Sequence, residues 1–320
     1  VSGQRCAIGV DLGGQSVKLA VVDAAGTIRL REKATVDAAR PAGDLARLII
    51  EQIDQILSAA RQRGLSPEAV GVVMPGYMDR DRTRILFAAN LPTLSGSNLL
   101  SEISSAVELP VGFDADCNAA ALGEYRFGAA VGVDRLLVAA VGTGIGVGVM
   151  IDGQIVRVRN HVAGSLGHVI VDATGPVCGC GARGCVEARA AGPALERRAA
   201  ELARAGPGSS LAAVLMDRGR LTAVEIAAAL REGDPVARQA VHECGWWLGV
   251  GVASWSVIYA PHKVLIGGGI ASLGEPLLSA IRQGFHEVGQ PMLTREVTIE
   301  LAALGPDAGA IGAAAMVMPE

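Results

Sequence analysis

An internal echo constrains this chain more than any other feature. Residues 7–10 form an apolar run, Asp11-Leu12-Gly13-Gly14 a turn, and residues 17–22 a second apolar run closed by a turn at 23–26. The pattern returns at residues 136–141, in the turn Gly142-Thr143-Gly144-Ile145-Gly146, and at residues 147–151, closed by Asp152 and Gly153. Strand, glycine-rich turn, strand, turn reads as a β-hairpin. Two such units about 130 residues apart point to a duplicated domain rather than one continuous sheet.

Alternating helix and strand signals fill the rest. Apolar residues at Leu45, Leu48, Ile49, Ile53, Ile56 and Leu57 have a helical period, which predicts a helix over 42–63. Further helices are expected at 99–107, 117–127, 193–205, 222–230, 235–259, 276–288 and 308–316, and strands at 69–74, 110–113, 263–266 and 297–302. The uncharged run 244–261 falls short of the roughly 20 residues of a membrane span and leads straight into a strand. It is expected to be a buried core helix. With 320 residues, half of them hydrophobic, the chain can bury two ordinary cores without disulfide staples. A net charge of -4 gives no electrostatic reason to expect a nucleic-acid partner. No signal-peptide pattern opens the sequence, so a cytoplasmic location is expected. No helix-turn-helix is expected before the first strand, which only a few residues of this sequence precede.

Three glycine turns are candidate phosphate contacts. Glycines at Gly13 and Gly14 let backbone N–H groups approach phosphate oxygens, and Asp11 beside them suits Mg²⁺ or its waters; a tight hairpin turn with a solvated aspartate is the plainer alternative. Gly142, Thr143, Gly144 and Gly146 make the matching cradle of the second half. Gly267, Gly268 and Gly269, at a strand end, would admit a nucleotide's sugar and base. Asp116 stands between a strand and a helix. It suits either a helix N-cap or a general base that takes the proton of an acceptor hydroxyl; Asp114 competes for both roles.

Of six cysteines, Cys178, Cys180 and Cys185 cluster within eight residues, with His168 upstream. His-x9-Cys-x-Cys-x4-Cys in a glycine-rich loop suits a tetrahedral zinc ion with four protein ligands, hence a structural one. A redox pair does not explain the histidine.

Together these motifs resemble the ROK family of sugar kinases and sugar-responsive repressors, over nearly the whole chain. The matching residues are Asp11 to Gly14, Pro75-Gly76, Asn90-Leu91-Pro92, Asp116 with the following residues to Glu124, Gly142 to Gly146, Gly167-His168, Cys178 to Glu187, Gly267 to Gly269, and Ala308 to Ala313. The resemblance implies a duplicated actin-like (ribonuclease H-like) ATPase fold of class α/β, two lobes around a central cleft. A smaller lobe would comprise residues 1–116 plus 303–320, and a larger one 117–302 with a zinc-binding loop at 168–187. It also implies ATP, Mg²⁺ and a structural Zn²⁺, Asp116 as catalytic base, Ser16 at the first phosphate turn, and His168 and Glu187 on substrate hydroxyls beside Gly76. A homodimer or homotetramer is expected, as a stand-alone kinase without nucleic-acid or membrane partners.

The departures bear on the acceptor. The family's Asn-Asp is Ala115-Asp116, which removes an amide. Its Gly-Glu-x-Gly-His is Gly164-Ser165-Leu166-Gly167-His168, which removes a carboxylate. Both positions normally hold sugar hydroxyls, and losing them costs specificity. Gly-x-Asn-Gly has become Val158-Arg159-Asn160-His161, so Arg159 is either a solvated cation or a contact for an anionic acceptor. Gly-Gly-Thr has become Gly14-Gln15-Ser16. The expected acceptor is an amino, acylated or phosphorylated sugar, or a cyclitol, rather than plain glucose. The rivals are an ordinary glucokinase or hexokinase, and a non-catalytic sugar sensor or degenerate kinase.

Overall fold

The structure is a computed structural model that describes residues 4–79, 81–157, 165–206 and 208–319. β1 (Gln4–Leu12), β2 (Ser16–Asp23) and β3 (Ile28–Thr35) open the chain, followed by α1 (Ala42–Gln62) and β4 (Leu65–Met74). Next come a small hairpin of β5 (Tyr77–Met78) and β6 (Ile85–Phe87), then α2 (Leu99–Ala106), β7 (Val111–Ala115) and α3 (Asp116–Phe127). The echo follows as β8 (Arg135–Val141), β9 (Ile145–Ile151) and β10 (Gln154–Ile155). A helical stretch comprises α4 (Val186–Ala190), α5 (Gly192–Ala205), α6 (Ser210–Arg218), α7 (Ala223–Arg231) and α8 (Pro235–Tyr259). The chain ends with β11 (Lys263–Gly267), α9 (Glu275–Val288), α10 (Pro291–Glu296), β12 (Thr298–Leu301) and α11 (Ala308–Val317).

Two five-stranded sheets result, ordered β3-β2-β1-β4-β7 and β10-β9-β8-β11-β12. In the first, β2 is antiparallel to β1 and β3, while β1, β4 and β7 run parallel. In the second, β9 and β10 are antiparallel, while β8, β11 and β12 run parallel. Strand for strand the order is the same, so the echo in the sequence is a duplication of topology. The apolar pattern does not signal β3, because Arg29, Arg31, Glu32 and Lys33 give it the charged character of an edge strand. Helices α4 and α10, of five and six residues, are too short to display a period.

By internal contacts the chain divides into one unit of Val1–Val133, Gly148–Gly164 and Ala303–Glu320, and another of Asp134–Val147 and Ser165–Ala302. This division differs from the boundary expected after residue 116. The reason is that α3 is locked to α11: a Cβ on Gly312 would lie 1.8 Å from the Ala119 carbonyl oxygen. The two helices touch backbone to backbone, and α3 stays with the first unit.

Each face of the first sheet has its own packing. Ile8, Val10 and Leu12 of β1 join Leu45, Ile49, Ile53 and Ile56 of α1 in one core. The opposite face carries small residues, and Ala7 and Ala20 meet Ala310 and Ala314 of α11. Glycines let α11 sit directly on this face: a Cβ on Gly9 or Gly71 would fall 1.8 Å from the carbonyl oxygen of Ala310 or Ala313.

In the second unit α8 begins at the N-cap Asp234, whose carboxylate accepts from the Val236 and Ala237 amides, with Pro235 at the first helical position. It is the buried helix expected from the uncharged run. Gly249 and Gly284 bring α8 and α9 into backbone contact. No helix of the described residues is long and apolar enough to cross a membrane.

Candidate active site

The first unit gathers two carboxylates. Asp11 lies near the end of β1, just before the turn that Gly13 N closes on Ser16 O at 2.9 Å. The β1–β2 register sets Lys18 opposite Asp11, with its Nζ 3.8 Å from Asp11 Oδ2 and donating to Pro306 O at 2.9 Å. The Asp11 carboxylate also rests on the first turn of α11, where a Cβ on Gly309 would lie 2.6 Å from Oδ2. A helix N-terminus favours an anion there. Burial nevertheless pushes the Asp11 carboxyl upward, and Lys18 offsets only part of that.

Asp116 is the first residue of α3, and its Oδ1 accepts from the Cys117 amide at 2.7 Å. The cap position belongs to Ala115, so the N-cap reading of Asp116 does not hold. Desolvation pushes the Asp116 carboxyl up to about 6, with the negative charge of Asp11 adding to the shift. The charge on Asp11 thus makes Asp116 hold its proton more tightly.

Asp114 is in a different state. Its Oδ1 accepts from Ala115 N and Asn118 Nδ2, both at 2.8 Å. Its Oδ2 accepts from Arg157 Nε at 3.0 Å and an Arg157 Nη at 2.5 Å. A carboxylate accepts about four hydrogen bonds. Asp114 is therefore occupied, and Asp116 is the aspartate left for proton transfer.

In the second unit one carboxylate ties two motifs together. Glu187 Oε2 accepts from Ile145 N at 2.9 Å, inside the second glycine turn, and a Cβ on Gly144 would stand 2.7 Å from the same oxygen. The turn is further held by Gly192 N donating to Gly142 O at 2.8 Å, leaving Thr143 exposed at its tip and Gly146 in β9. Gly268 has φ +82°, and a Cβ there would lie 2.4 Å from Val141 O, so only glycine fits. Gly267 closes β11, and Gly269 faces open space.

The ligand atoms of His168, Cys178, Cys180 and Cys185 all lie within 4.8 Å of one another. His168 Nδ1 is 3.7 Å from Cys178 Sγ, and Cys180 Sγ is 3.7 Å from Cys185 Sγ. A tetrahedron with arms of about 2.0–2.3 Å has edges of roughly 3.5–3.8 Å, so the cluster fits a four-coordinate ion. Both of those thiols are free. Burial pushes the Cys178 thiol up to about 12. Desolvation also acts on Cys180, but hydrogen bonds from the Ala182 amide and the neighbouring thiols outweigh it and hold Cys180 below the usual thiol range. Nδ1 is the His168 nitrogen turned to the sulfurs. His168 rides on a short 3₁₀ turn, Leu166–His168, pinned by the buried Trp255, whose Nε1 donates to Leu166 O at 3.0 Å.

The remaining expected contacts are uneven. Gly76, at φ +128°, is required as glycine because a Cβ would meet Phe87 O at 2.6 Å. Ala115, Ser165 and Ser16 are half-buried. Arg159 lies outside the described residues. Lys18, Trp255 and the Arg157–Asp114 pair belong to the site's framework, yet no motif marks them. Lys18 alone has a readable signal: once the turn after Leu12 is placed, the hairpin ladder pairs it with Asp11.

A doubled sheet with this strand order, carrying paired carboxylates and glycine turns, defines an actin-like ATPase fold. A family model described as the ROK family matches residues 7–320, and the chain belongs to that family. The glucokinase of Streptomyces coelicolor is 34% identical over 311 residues, 96% of each chain. A crystal structure of a ROK family glucokinase from Streptomyces griseus, in complex with glucose and AMPPNP, is 36% identical with a TM-score of 0.83, covering 97% of this chain and 98% of that one. A xylose repressor of Caldicellulosiruptor bescii is 29% identical over 98% of this chain and 78% of its own length.

Proposed function

We propose that this protein is an ATP-dependent kinase that transfers the γ-phosphoryl group to a hydroxyl of a sugar or sugar-like acceptor other than plain glucose. The observation that carries the reading is the division of labour between Asp114, saturated with donors that include Arg157, and Asp116, bonded to the Cys117 amide with no cation against it among the described residues and raised to about 6. A base poised near neutrality takes a hydroxyl proton as the phosphorus–oxygen bond forms.

Asp11 would hold Mg²⁺ or its waters, with Lys18 keeping the carboxylate in place. Mg²⁺ supplies neutralisation of the phosphate charge. The turns at Gly13–Gly14, Gly142–Gly146 and Gly267–Gly269 offer backbone N–H groups to the nucleotide. His168 Nε2 and Glu187 orient the acceptor. The Cys3His cluster suits zinc, which when bound supplies fixed geometry to the loop and no open coordination position. Relatives named as glucokinases support the kinase reading. The changes at Ala115 and Ser165 support a modified acceptor. A homodimer or homotetramer in the cytoplasm is part of the same proposal.

The likeness to a xylose repressor keeps one alternative in view, a sugar sensor without catalysis. Asp116→Asn separates the two. A kinase loses turnover by about 10²–10⁴-fold while titration calorimetry still detects nucleotide and sugar. Wild-type protein that binds sugar but yields no ADP in any acceptor assay contradicts the proposal.

A further inference from the structure

Asp114 has more positive charge around it than it needs. Its four acceptor directions are filled by Ala115 N, Asn118 Nδ2 and two N–H groups of Arg157. One full cation already balances its charge. Yet Arg82 brings a second guanidinium to 3.5 Å from Oδ2. The carboxylate is 6% exposed, while the side chains of Arg82 and Arg157 are 41% and 43% exposed. The arginines therefore reach in from solvent over a buried anchor and keep N–H groups to spare.

Arg82 is also held there at a cost. Its φ of +56° is a left-handed conformation that non-glycine residues seldom adopt. The β5–β6 turn imposes it: Arg82 N donates to Asp79 O, and Asp79 Oδ1 accepts from the Thr83 and Arg84 amides. The surplus cation sits at the end of β7, where Asp114, Ala115 and Asp116 are consecutive. Asp114 and Asp116 thus have Cα atoms at most about 7.6 Å apart. Both carboxylates act on the thiol of Cys117, which burial and these two charges push upward. Between them Ala115 contributes only a methyl group.

We infer that Arg82 and Arg157 form an anion subsite, anchored on Asp114, that selects an acceptor bearing a phosphate or carboxylate group. The inference rests on the kinase reading above and narrows its acceptor to an anionic sugar or cyclitol. Guanidinium groups match both anions through paired N–H donors. Ala115, half-buried between the two aspartates, brings no polar side chain to this surface.

The test compares glucose with glucose 6-phosphate, glucose 1-phosphate and glucuronate, by initial rates of ADP release and by titration calorimetry. At least one anionic acceptor is expected to exceed glucose tenfold or more in kcat/KM, with a preference that shrinks as salt rises. Arg82→Ala is expected to cut the anionic-to-neutral selectivity at least tenfold, and Arg82→Lys to retain part of it. Arg157→Ala strands a buried carboxylate, so Arg157→Gln combined with Asp114→Asn is the safer variant and should lower the same ratio. Phosphate and carboxylate are told apart by the glucose 6-phosphate and glucuronate arms. Turnover of glucose with no anionic preference, or equal loss on charged and neutral acceptors in Arg82→Ala, overturns the subsite and leaves the kinase reading standing. If no acceptor is turned over, the kinase reading fails, and calorimetry still decides the subsite: no preference for glucose 6-phosphate over glucose, or a preference untouched by Arg82→Ala, overturns it.

Discussion

At the residue scale, Asp116 carries a conflict between folding and chemistry. Its carboxyl is raised from 3.8 to about 6 because the fold removes water from it and Asp11 sets a like charge nearby. A raised carboxyl pKa means that the folded state binds this proton more tightly than the unfolded chain. The favourable contribution is complete below about pH 4 and is lost as pH rises through about 6. Asp116→Asn should therefore melt higher than wild type at pH 8, by the equivalent of about 1–2 kcal/mol once partial solvent access is allowed for. The gap should close at pH 4. Thermal melts of the metal-free, nucleotide-free protein check this; an asparagine variant less stable at pH 8 contradicts it. The same residue sets the catalytic pH profile: kcat/KM should climb roughly tenfold per pH unit below about 6 and level off above it. That limb should disappear in the residual activity of Asp116→Asn.

At the scale of elements, glycines decide where helices and loops stand. The sequence places α11 but is silent about its partners, since a helix so rich in alanine and glycine is apolar all round and has no periodic stripe. The structure supplies the reason for that composition: Gly9 and Gly71 on the sheet and Gly312 on the helix each face a backbone carbonyl at a distance no Cβ can occupy. Gly71→Ala should destabilise the fold by several kcal/mol, because backbone rather than a flexible side chain must move. Denaturant melts measure it, and a loss below about 1 kcal/mol contradicts the packing. Gly144→Ala is expected to act differently. Its new methyl pushes on Glu187 Oε2, a side-chain atom that can yield, so stability should fall little while activity drops about tenfold or more as Glu187 leaves Ile145 N. Chelation, or Cys185→Ser, should remove the zinc proposed for the Cys3His cluster and raise the acceptor KM more than the ATP KM, since His168 and Glu187 lie on and beside that loop. Metal analysis paired with kinetics checks this.

At the scale of the whole molecule, the duplication explains which parts the sequence made visible. Strand–turn–strand units, the cysteine loop and Asp116 are local patterns, and local patterns survive in a linear reading. Trp255 acts through tertiary approach, its Nε1 donating to Leu166 O across 89 residues, so no window of neighbouring residues reveals it. The Arg82–Asp114–Arg157 cluster joins three distant segments for the same reason. The boundary expected after residue 116 falls where strand β7 gives way to helix α3; α3 belongs to the first unit because two glycine-bearing helices meet.

The central claim is phosphoryl transfer to a sugar-like acceptor other than plain glucose, with Asp116 as the base. The most direct measurement is mass spectrometry of the acceptors after incubation with ATP and Mg²⁺, using wild type and Asp116→Asn on a panel of glucose, amino, acylated and phosphorylated sugars and cyclitols. One modified sugar or cyclitol should gain a phosphate at least tenfold faster than glucose in wild type, and the gain should all but vanish in Asp116→Asn. Glucose as the best acceptor contradicts the substrate claim. No phosphorylated product from any acceptor, or transfer undiminished in the asparagine variant, contradicts the kinase itself.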